Sequence, residues 1–349
     1  MKIHNFSCFL PGLMCAAALA VAPVEAAQGG AKSKLHQHRN IARDSLPKPY
    51  GQREDLMRFA KELAEREGWD VAELQAQLAQ AKIQPTVQRL MLPPPAGTAK
   101  NWAAYRKLFV EPKRMQAGLA FWRDNEATLE RAAQQFGVPA AIIIGLIGVE
   151  TYYGQITGGF RVIDALATLA FDFPPGRKDR SGFFREELSQ FLQLARREGL
   201  DPLSMKGSYA GALGLPQFMP GSWNRYAVDF DGDGKVDLIN SAADAIGSVA
   251  HYLAEHGWQR GLPTHYAVRV PVDSSARATL LAPDIVPSFS PDQFVQLGAE
   301  LPGPGRLHDG LLALVELQNG VAAPSYVAGT ANLCADALQL VELLRYGGE

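Results

Sequence analysis

The sequence predicts a mainly α-helical protein, an α+β fold with a small β module near its C-terminus. Three observations lead to this prediction. Long segments carry apolar residues at helical spacing, one short segment alternates apolar and polar residues, and a strand-like run ends at Asn319-Gly320. The chain has 349 residues, of which 47% are hydrophobic, so it has enough apolar material for a sizeable core.

Residues 1–27 have the pattern of a secretory signal peptide. Lys2 gives a positive start, an apolar stretch follows from Phe9 to Val21, and small residues near Ala26 form a cleavage site. The apolar stretch is shorter than the roughly 20 residues that a membrane-spanning helix needs. A lipid anchor is less favoured, because Cys8 and Cys15 do not follow suitable small residues. We therefore expect a soluble, exported protein without a transmembrane segment in the mature chain.

Residues 28–50 are predicted to be a polar linker, and residues 51–100 an N-terminal helical region. The helices expected there span residues 52–68 and 71–82. Asp70 and Glu73 have the spacing of a capping box at the start of the second helix. The proline-rich segment 92–97 interrupts the helical pattern.

Residues 101–263 form a larger predicted helical region. Its expected helices span residues 102–135 with an interruption at Pro112, 139–154, 181–198 and 242–256. Ser241 is a plausible N-cap for the last of these, and Gly257 stands just beyond its end. The Gly-rich segment 207–220 has no usable periodicity and is expected to be a turn-rich loop.

The small β module is predicted over residues 264–328. Apolar residues alternate from Tyr266 to Val272, and Pro271 favours an edge position for this strand. A second strand, Leu311 to Leu317, enters the hairpin turn at Asn319-Gly320.

Residues 329–349 are expected to form a C-terminal helix, at about 332–345. Cys334 lies there and is the only cysteine left once the signal peptide is removed, so an intramolecular disulfide is excluded. The formal net charge of −2 gives no reason to expect nucleic acid as a partner, and it does not favour a general membrane-surface role.

Glu150 is the strongest catalytic candidate. It follows the apolar run VPAAIIIGLIGV, and a helix between Pro139 and Gly154 would put it in the last turn. Desolvation and the negative end of the helix dipole would both favour the protonated carboxyl. A carboxylic acid that is protonated near neutral pH can donate a proton to a glycosidic oxygen. The alternative is a structural glutamate that pairs with Arg or Lys or caps a turn.

The segment 229–237 has the ligand spacing of an EF-hand calcium loop. Oxygen ligands occupy positions one, three, five and nine of the loop, as Asp229, Asp231, Asp233 and Asp237. Gly234 permits the sharp bend, and Lys235 would contribute its backbone carbonyl. Asn240 stands where a bidentate Glu is expected, and Asp244 could close the shell instead. We expect a structural calcium ion, with a solvated acidic turn as the alternative. A single loop disfavours a calcium sensor.

Several motifs in a fixed order resemble the lytic murein transglycosylase B family. They are Gly148–Thr151 (GVET), Asp164–Leu169 (DALATL), Lys206–Ala212 (KGSYAGA), Pro216–Pro220 (PQFMP), the loop at Asp229 and Asp244–Ser248 (DAIGS). The resemblance covers about residues 50 to 262. It implies a periplasmic enzyme with a lysozyme-like catalytic core, which we assign to residues 101–263, acting on peptidoglycan glycan strands and expected to be a monomer.

The resemblance also implies the reaction. Such enzymes cleave the β-1,4 bond between N-acetylmuramic acid and N-acetylglucosamine, and the muramyl C6 hydroxyl attacks its own anomeric carbon to leave a 1,6-anhydro product. Glu150 corresponds to the family acid, and the calcium ligands correspond to Asp229, Asp231, Asp233, Lys235, Asp237 and Asp244. Ordinary glycosidases use two carboxylates about 5 to 10 Å apart. Here Asp164 and Asp172 are only distant candidates, and we interpret Asp164 as a helix-start or structural residue.

Substrate contacts implied by the resemblance fall on Ser208, Gln217, Tyr252 and Asn332. A hydroxyl and an amide can bond sugar hydroxyl and acetamido groups, and a Tyr ring can pack against a sugar face. A turn hydrogen bond for Ser208 and core packing for Tyr252 are the structural alternatives. Ala331 and Ala337 stand where the family has tyrosines, so the cleft is expected to differ there. These alanines also favour a non-catalytic peptidoglycan-binding protein as an alternative function, which the retained Glu150, Ser208, Gln217 and Tyr252 oppose. A muramidase that uses water is a second alternative.

Overall fold

The computed structural model describes residues 50–93, 100–176 and 178–335. Its helices are α1 (Glu54–Glu67), α2 (Val71–Leu78), α3 (Pro85–Met91), α4 (Trp102–Phe109), α5 (Pro112–Asp124), α6 (Glu126–Phe136), α7 (Ala140–Thr151), α8 (Val162–Phe171), α9 (Ser181–Arg197), α10 (Pro220–Tyr226), α11 (Ala242–Glu255), α12 (Ser274–Leu281) and α13 (Pro291–Gln296). Its strands are β1 (Phe160–Arg161), β2 (Lys206–Gly207), β3 (His265–Ala267), β4 (Ala313–Asn319) and β5 (Ala322–Gly329). Turns of 3-10 helix lie at Tyr50–Gln52 and Gly303–Leu307. The mainly α prediction is confirmed.

The N-terminal helices form where caps and apolar spacing agree. At the start of α2, the Asp70 carboxylate accepts the Glu73 N–H at 2.7 Å, which satisfies one of the free donors of that helix end. The side chains that α1 buries repeat at helical spacing: Leu56, Ala60, Leu63 and Ala64. Helix α3 was not predicted, because its seven residues are too few to reveal a period.

The predicted helical segment 102–135 is divided into α4, α5 and α6. Pro112 is the first residue of α5, where its missing N–H is not needed, and the Glu111 carboxylate caps the same helix by accepting the Arg114 N–H at 2.6 Å. A second break, at Asn125, separates α5 from α6. The Asn125 side chain donates to the Phe121 carbonyl at 2.8 Å, and such local side-chain bonds end helices without disturbing the apolar period.

Helix α7 lies at the centre of the main hydrophobic core. Its Ile and Leu side chains are buried on nearly every side, and it packs against α5, α6 and α11. Helix α8 packs against α9 and is buried along almost its whole length. The N-terminal helices belong to the same hydrophobic cluster as α7 and α8. The division between residues 51–100 and 101–263 therefore stays a prediction.

The C-terminal module contains a three-stranded antiparallel sheet in the order β3-β5-β4. The hairpin predicted at Asn319-Gly320 joins β4 to β5, and Gly320 has a φ of 66°. Strand β3 lies at the edge, as Pro271 predicted. It ends at Ala267, because Arg269 pairs with Glu300 instead of with the sheet.

Two helices in this module were not predicted. Helices α12 and α13 contribute to a second, smaller hydrophobic cluster together with the sheet. Leu280 of α12 and Phe294 of α13 are fully buried in it, beside Leu314 and Ala328. Both helices are short, with eight and six residues, so their apolar positions do not establish a period.

Within the described residues, no single helix is both long enough and apolar enough to cross a membrane. Helices α6 and α7 meet these requirements only when they are taken together, and they are bent by 114° relative to each other. The predicted signal peptide and all but the last residue of the predicted linker lie outside the described residues. Of the predicted C-terminal helix, residues 331–335 are helical and the remainder lies outside.

Candidate active site

Glu150 lies in the last turn of α7, as the sequence predicts. The helix ends at Thr151 rather than near Gly154. Tyr152 and Tyr153 follow with φ values of 52° and 58°. These values lie in the left-handed region, which residues other than glycine rarely adopt. Backbone strain of this kind often accompanies functional sites. The chain therefore turns sharply directly after the candidate acid.

The surroundings of the Glu150 carboxyl differ from those of a structural glutamate, which would pair with Arg or Lys or cap a turn. The residue is 4% exposed, and both carboxyl oxygens are buried without a hydrogen-bond partner among the described residues. Burial raises the pKa of Glu150 to about 8. Because no described Arg or Lys pairs with the carboxyl and it caps no turn, the geometry disfavours the structural alternative. At neutral pH this group holds its proton.

Two residues near Glu150 were missed by the sequence analysis. The Tyr105 hydroxyl on α4 is buried, and burial, followed by the negative charge of Glu150, raises its pKa to about 12. Arg114 on α5 donates to the Gly148 carbonyl at 2.5 Å, and this carbonyl, in the last turn of α7, also accepts the Tyr152 N–H at 3.2 Å. Its guanidinium lies 4.5 Å from the Tyr152 ring centroid. Both residues precede Glu150 by more than 30 positions, and their helices carry no pattern that points to the site.

The Gly-rich segment 207–220 packs directly against the end of α7. The Thr151 hydroxyl donates to the Leu215 carbonyl at 2.8 Å, and it accepts the Gly154 N–H at 3.0 Å. The Ser208 hydroxyl, almost fully buried, accepts the N–H groups of Ala210 and Ala212 at 3.3 and 3.0 Å. This is the turn hydrogen bond named as the structural alternative for Ser208.

Gln217, in the same segment, also has unused hydrogen-bonding capacity. It is fully buried, with a φ of 52°. Its side-chain amide donates to the carbonyls of Gly214 and Thr157 at 2.9 and 3.1 Å. The amide oxygen, Oε1, is buried and has no partner among the described residues. A buried acceptor of this kind is uncommon and calls for an explanation, such as a ligand.

Tyr252 and Asn332 occupy positions with clear structural roles. Tyr252 is fully buried, and its ring is stacked on His256 at 3.9 Å between centroids and lies beside Phe218 and Tyr226. The Asn332 amide donates to the Gln259 and Leu262 carbonyls and accepts the Gln259 N–H. These three bonds occupy both donors and one acceptor position of Asn332. Substrate contacts by either residue stay predictions. Ala331 is half-buried, and Ala337 lies outside the described residues.

The loop at Asp229 brings three carboxylates together. Single oxygens of Asp229, Asp231 and Asp244 all lie within 4.8 Å of one another. Asp244 is buried on the first turn of α11, where its carboxylate accepts the N–H groups of Phe230 and Asp237, each at 2.7 Å. Asp244 therefore stabilises the loop from its buried side, whereas the two other carboxylates are exposed.

Asp233, Lys235 and Asp237 are not part of this group of three. The Asp233 carboxylate accepts the Lys235 N–H at 2.8 Å, and the Asp237 carboxylate accepts the N–H groups of Ile239 and Asn240, both at 2.9 Å. Gly234 has a φ of 89°, which agrees with its predicted role in the bend. Carboxylate oxygens are the ligands that calcium prefers, so the three grouped carboxylates fit this cation.

The sequence and the fold match known proteins over most of the chain. The family model described as "Transglycosylase SLT domain" matches residues 51–325. The membrane-bound lytic murein transglycosylase B of Escherichia coli K12 is 46% identical over 215 residues, which are 59% of this chain and 58% of that protein. The matched segment thus spans less than two thirds of the relative.

Solved structures extend the similarity to the fold. Soluble lytic transglycosylase SltB1 from Pseudomonas aeruginosa is 36% identical with a TM-score of 0.74, over 84% of this chain and 97% of that chain. Lytic transglycosylase Slt35 from Escherichia coli, solved in complex with calcium, is 36% identical with a TM-score of 0.70, over 86% and 91% of the two chains.

Fold and site together define a mainly helical, lysozyme-like protein with one buried carboxyl at the end of its central helix. This agrees with the fold class expected from the sequence. The chain belongs to the transglycosylase SLT domain family and, within it, to the lytic murein transglycosylase B family.

Proposed function

We propose that this protein is a peptidoglycan lytic transglycosylase. It cleaves the β-1,4 bond between N-acetylmuramic acid and N-acetylglucosamine and leaves 1,6-anhydro-N-acetylmuramic acid. The observation that carries the proposal is the Glu150 carboxyl, which is buried, has no hydrogen-bond partner among the described residues and holds its proton at neutral pH. Family membership and the murein named as the target of the relative support the choice of substrate.

In the first step, Glu150 donates its proton to the glycosidic oxygen. The bond between that oxygen and the anomeric carbon of the muramyl residue breaks, and the leaving sugar departs with a hydroxyl group. Positive charge develops on the anomeric carbon, and Glu150 is now a carboxylate. Because the carboxyl has no hydrogen-bond partner within the described protein, its proton is available to the substrate.

In the second step, the Glu150 carboxylate accepts a proton. The C6 hydroxyl of the same muramyl residue gives up its proton to Glu150, while its oxygen forms a bond to the anomeric carbon. The ring closes to the 1,6-anhydro sugar, and Glu150 regains its protonated form. No water enters the product, and one carboxyl serves as acid and then as base.

A single carboxyl suits this mechanism. Retaining and inverting glycosidases ordinarily use a second carboxylate about 5 to 10 Å from the acid. Helix α7 carries no carboxylate other than Glu150, and the nucleophile of the proposed reaction is the C6 hydroxyl of the substrate itself. Tyr105, whose pKa is raised in part by the charge of Glu150, is a titratable neighbour of the acid.

Product analysis tests the proposed function. Purified murein sacculi are digested in water enriched in ¹⁸O, and the soluble fragments are analysed by mass spectrometry. We expect muramyl ends that are lighter than reducing ends by one water and contain no ¹⁸O. Reducing ends labelled with ¹⁸O would instead identify a muramidase, and intact sacculi with bound protein would identify a binding protein. A hydrolytic lysozyme treated in parallel is the control for label incorporation.

Substrate binding in the proposal involves the Gly-rich segment beside Glu150. The unpaired Oε1 of Gln217 is suited to accept a hydrogen bond from a sugar hydroxyl or an acetamido N–H. Ser208 supports this segment through its turn hydrogen bonds, and its hydroxyl proton is free to be donated to the glycan. We retain Tyr252 and Asn332 as substrate contacts of the family pattern, although both side chains are engaged in the core.

We also propose that the loop at Asp229 binds a structural calcium ion. Asp229, Asp231 and Asp244 would hold it, with Asp233, Asp237 and the Lys235 carbonyl as the further ligands of the loop pattern. The calcium complex of the relative Slt35 supports this proposal. When bound, the ion would neutralise carboxylates that otherwise repel each other, and it would fix the loop to the start of α11.

Calcium is expected to raise the melting temperature of the protein. At a calcium concentration of about 100 times Kd, a single site stabilises the fold by about 2.7 kcal/mol. Scanning calorimetry with calcium and with a chelator measures the difference. Asp229→Asn should reduce it, because the amide keeps an oxygen but removes one of the three negative charges of the group. Asp309→Asn, an exposed acid in the C-terminal module, should leave it unchanged. An equal calcium effect in all three proteins would contradict the site.

The proposed location is the periplasm. Residues 1–27 would direct export and be removed, with residues 28–50 as a linker to the folded part. The Escherichia coli relative is described as membrane-bound, so a lipid anchor is the alternative to a soluble mature protein. The proposed organisation keeps residues 51–100 as a helical region, 101–263 as the catalytic core, 264–328 as the small module and 329–349 as the C-terminal helix.

A further inference from the structure

Four exposed aliphatic side chains lie on α4, on α5 and in the turn between these helices. Leu108, Val110, Met115 and Leu119 are exposed by 66%, 51%, 56% and 61%. Isolated exposed aliphatic side chains are ordinary, but four of them within residues 108–119 are not. Met115 and Leu119 are four residues apart on α5, so they lie on the same face of that helix. We call this surface, with its flanking basic residues, the α4–α5 corner.

The same corner is strongly basic. Residues 100–115 include five basic side chains and a single acidic one, whereas the whole chain has a formal net charge of −2. Arg106, Lys107 and Lys113 are exposed beside the aliphatic residues. The single acid, Glu111, is occupied in capping α5, where it accepts the N–H groups of Lys113 and Arg114. Arg114 is occupied as well, since it donates to the Gly148 carbonyl, so the basic side chains left for a partner beside the aliphatic residues are those of Arg106, Lys107 and Lys113.

We propose that the α4–α5 corner docks on an anionic phospholipid bilayer. The aliphatic side chains would enter the boundary between head groups and acyl chains, and the Lys and Arg side chains would contact lipid phosphates. Charge complementarity favours this partner over a neutral one. Four aliphatic side chains favour a bilayer over a glycan, because sugars present hydroxyl and acetamido groups to their binding sites. The contact is peripheral and requires no spanning helix.

Docking at this corner would orient the candidate active site. Tyr105 and Arg114, which lie near Glu150, belong to the two helices that form the corner. The wall of the site is therefore continuous with the docking surface, and a docked protein would hold the site at a fixed orientation to the membrane. This inference goes beyond the proposed function and does not depend on it.

Vesicle flotation tests the proposal with the full exported protein. Vesicles of phosphatidylglycerol and phosphatidylethanolamine are compared with vesicles of phosphatidylcholine alone. We expect binding to the anionic vesicles only. The double variant Arg106→Gln/Lys107→Gln should bind roughly 30-fold more weakly, since each basic residue near an anionic surface contributes about a factor of five. Leu108→Ser/Leu119→Ser should lose at least about tenfold, since it removes apolar groups that would be buried.

Matched control variants distinguish binding by this surface from nonspecific adsorption to vesicles. Val272→Ser/Val321→Ser removes two fully exposed aliphatic side chains from the C-terminal module, and Arg58→Gln/Lys61→Gln removes two exposed charges from α1. Both should bind vesicles as the unaltered protein does. All proteins share the same N-terminus, so any contribution of residues 1–49 cancels.

Three outcomes would overturn the proposal. The first is binding to phosphatidylcholine as strong as binding to the anionic vesicles, and the second is unchanged binding by the two corner variants. The third is a loss of binding to murein sacculi, but not to vesicles, in the corner variants, which would assign the surface to the glycan. Circular dichroism verifies that each variant is folded, and all eight substituted side chains are exposed.

Discussion

Replacing Glu150 with Gln is expected to lower the rate of murein turnover by about 10² to 10⁴-fold, the usual contribution of a general acid and base. Glutamine keeps the shape of the side chain but has no proton to donate and cannot accept the C6 hydroxyl proton. Release of soluble fragments from purified sacculi measures the rate. A turnover within threefold of the unaltered protein would exclude Glu150 as the acid.

The control for this substitution is a second buried glutamate. Glu187 on α9 is also almost fully buried, and burial raises its pKa to about 7. Its carboxylate accepts the Gly221 N–H at 2.8 Å in a cavity of about 370 Å³ between α9 and α10, away from α7. Glu187→Gln therefore removes an equally unusual carboxyl without touching the site. We expect it to retain its activity.

The pH profile gives a second measure of the same role. Because the Glu150 carboxyl must be protonated before the first step, kcat/KM should fall as pH rises through about 8. The residual activity of Glu150→Gln should show no such fall in that range. A profile that is unchanged by the substitution would assign the titration to another group.

The sequence predicts those parts of the site whose determining residues lie within one short segment. The placement of Glu150 follows from the apolar run and the ends of its helix, and the raised pKa follows from the same neighbours. The group of carboxylates at Asp229 follows from their alternate spacing. In both cases the residues that determine the chemistry lie within about 15 positions of each other.

Tertiary contacts explain what the sequence alone does not reveal. The charge of Glu150 acts on Tyr105, and Arg114 contacts Gly148 and Tyr152, only because the fold brings residues that are distant in sequence together. The Gly214 and Thr157 carbonyls accept hydrogen bonds from the Gln217 side-chain nitrogen, and this orientation leaves its Oε1 without a partner among the described residues. Asn332 was expected at the substrate, yet its amide is bonded to the backbone of Gln259 and Leu262, more than 65 residues away in sequence.

The length of a helix or strand also limits how well the sequence predicts it. The longest helices, α1, α9 and α11, lie close to their predicted positions because their apolar faces repeat several times. Short elements such as α3 and α13 owe their form to packing against the rest of the structure. Strand β3 is shorter than its alternating pattern, because Arg269 finds a different partner in Glu300.

Glu150→Gln is also expected to make the fold more stable at neutral and alkaline pH. The unfolded chain ionises this group near its ordinary pKa of 4.5, whereas the folded protein keeps the proton until about pH 8. Between these values the unfolded state releases a proton that the folded state retains, so the stability of the fold decreases as pH rises. Below pH 4.5 the penalty is absent, and above about pH 8 it is complete.

The size of this effect follows from the difference between the two pKa values. At pH 7 the carboxyl costs the fold about 3 kcal/mol, at 1.36 kcal/mol for each pKa unit. Glutamine does not ionise, so the free energy of unfolding of Glu150→Gln should exceed that of the unaltered protein by up to about this amount at pH 7, and the gain should shrink towards zero near pH 4. Denaturant titrations at several pH values, with calcium held constant, measure the difference. A gain that did not vary with pH would mean that the carboxyl is ionised in the folded protein. In that case Glu150 would not be available as the general acid at neutral pH. The proton that the folded protein retains, at a cost in stability, is the one that the first step donates to the glycan.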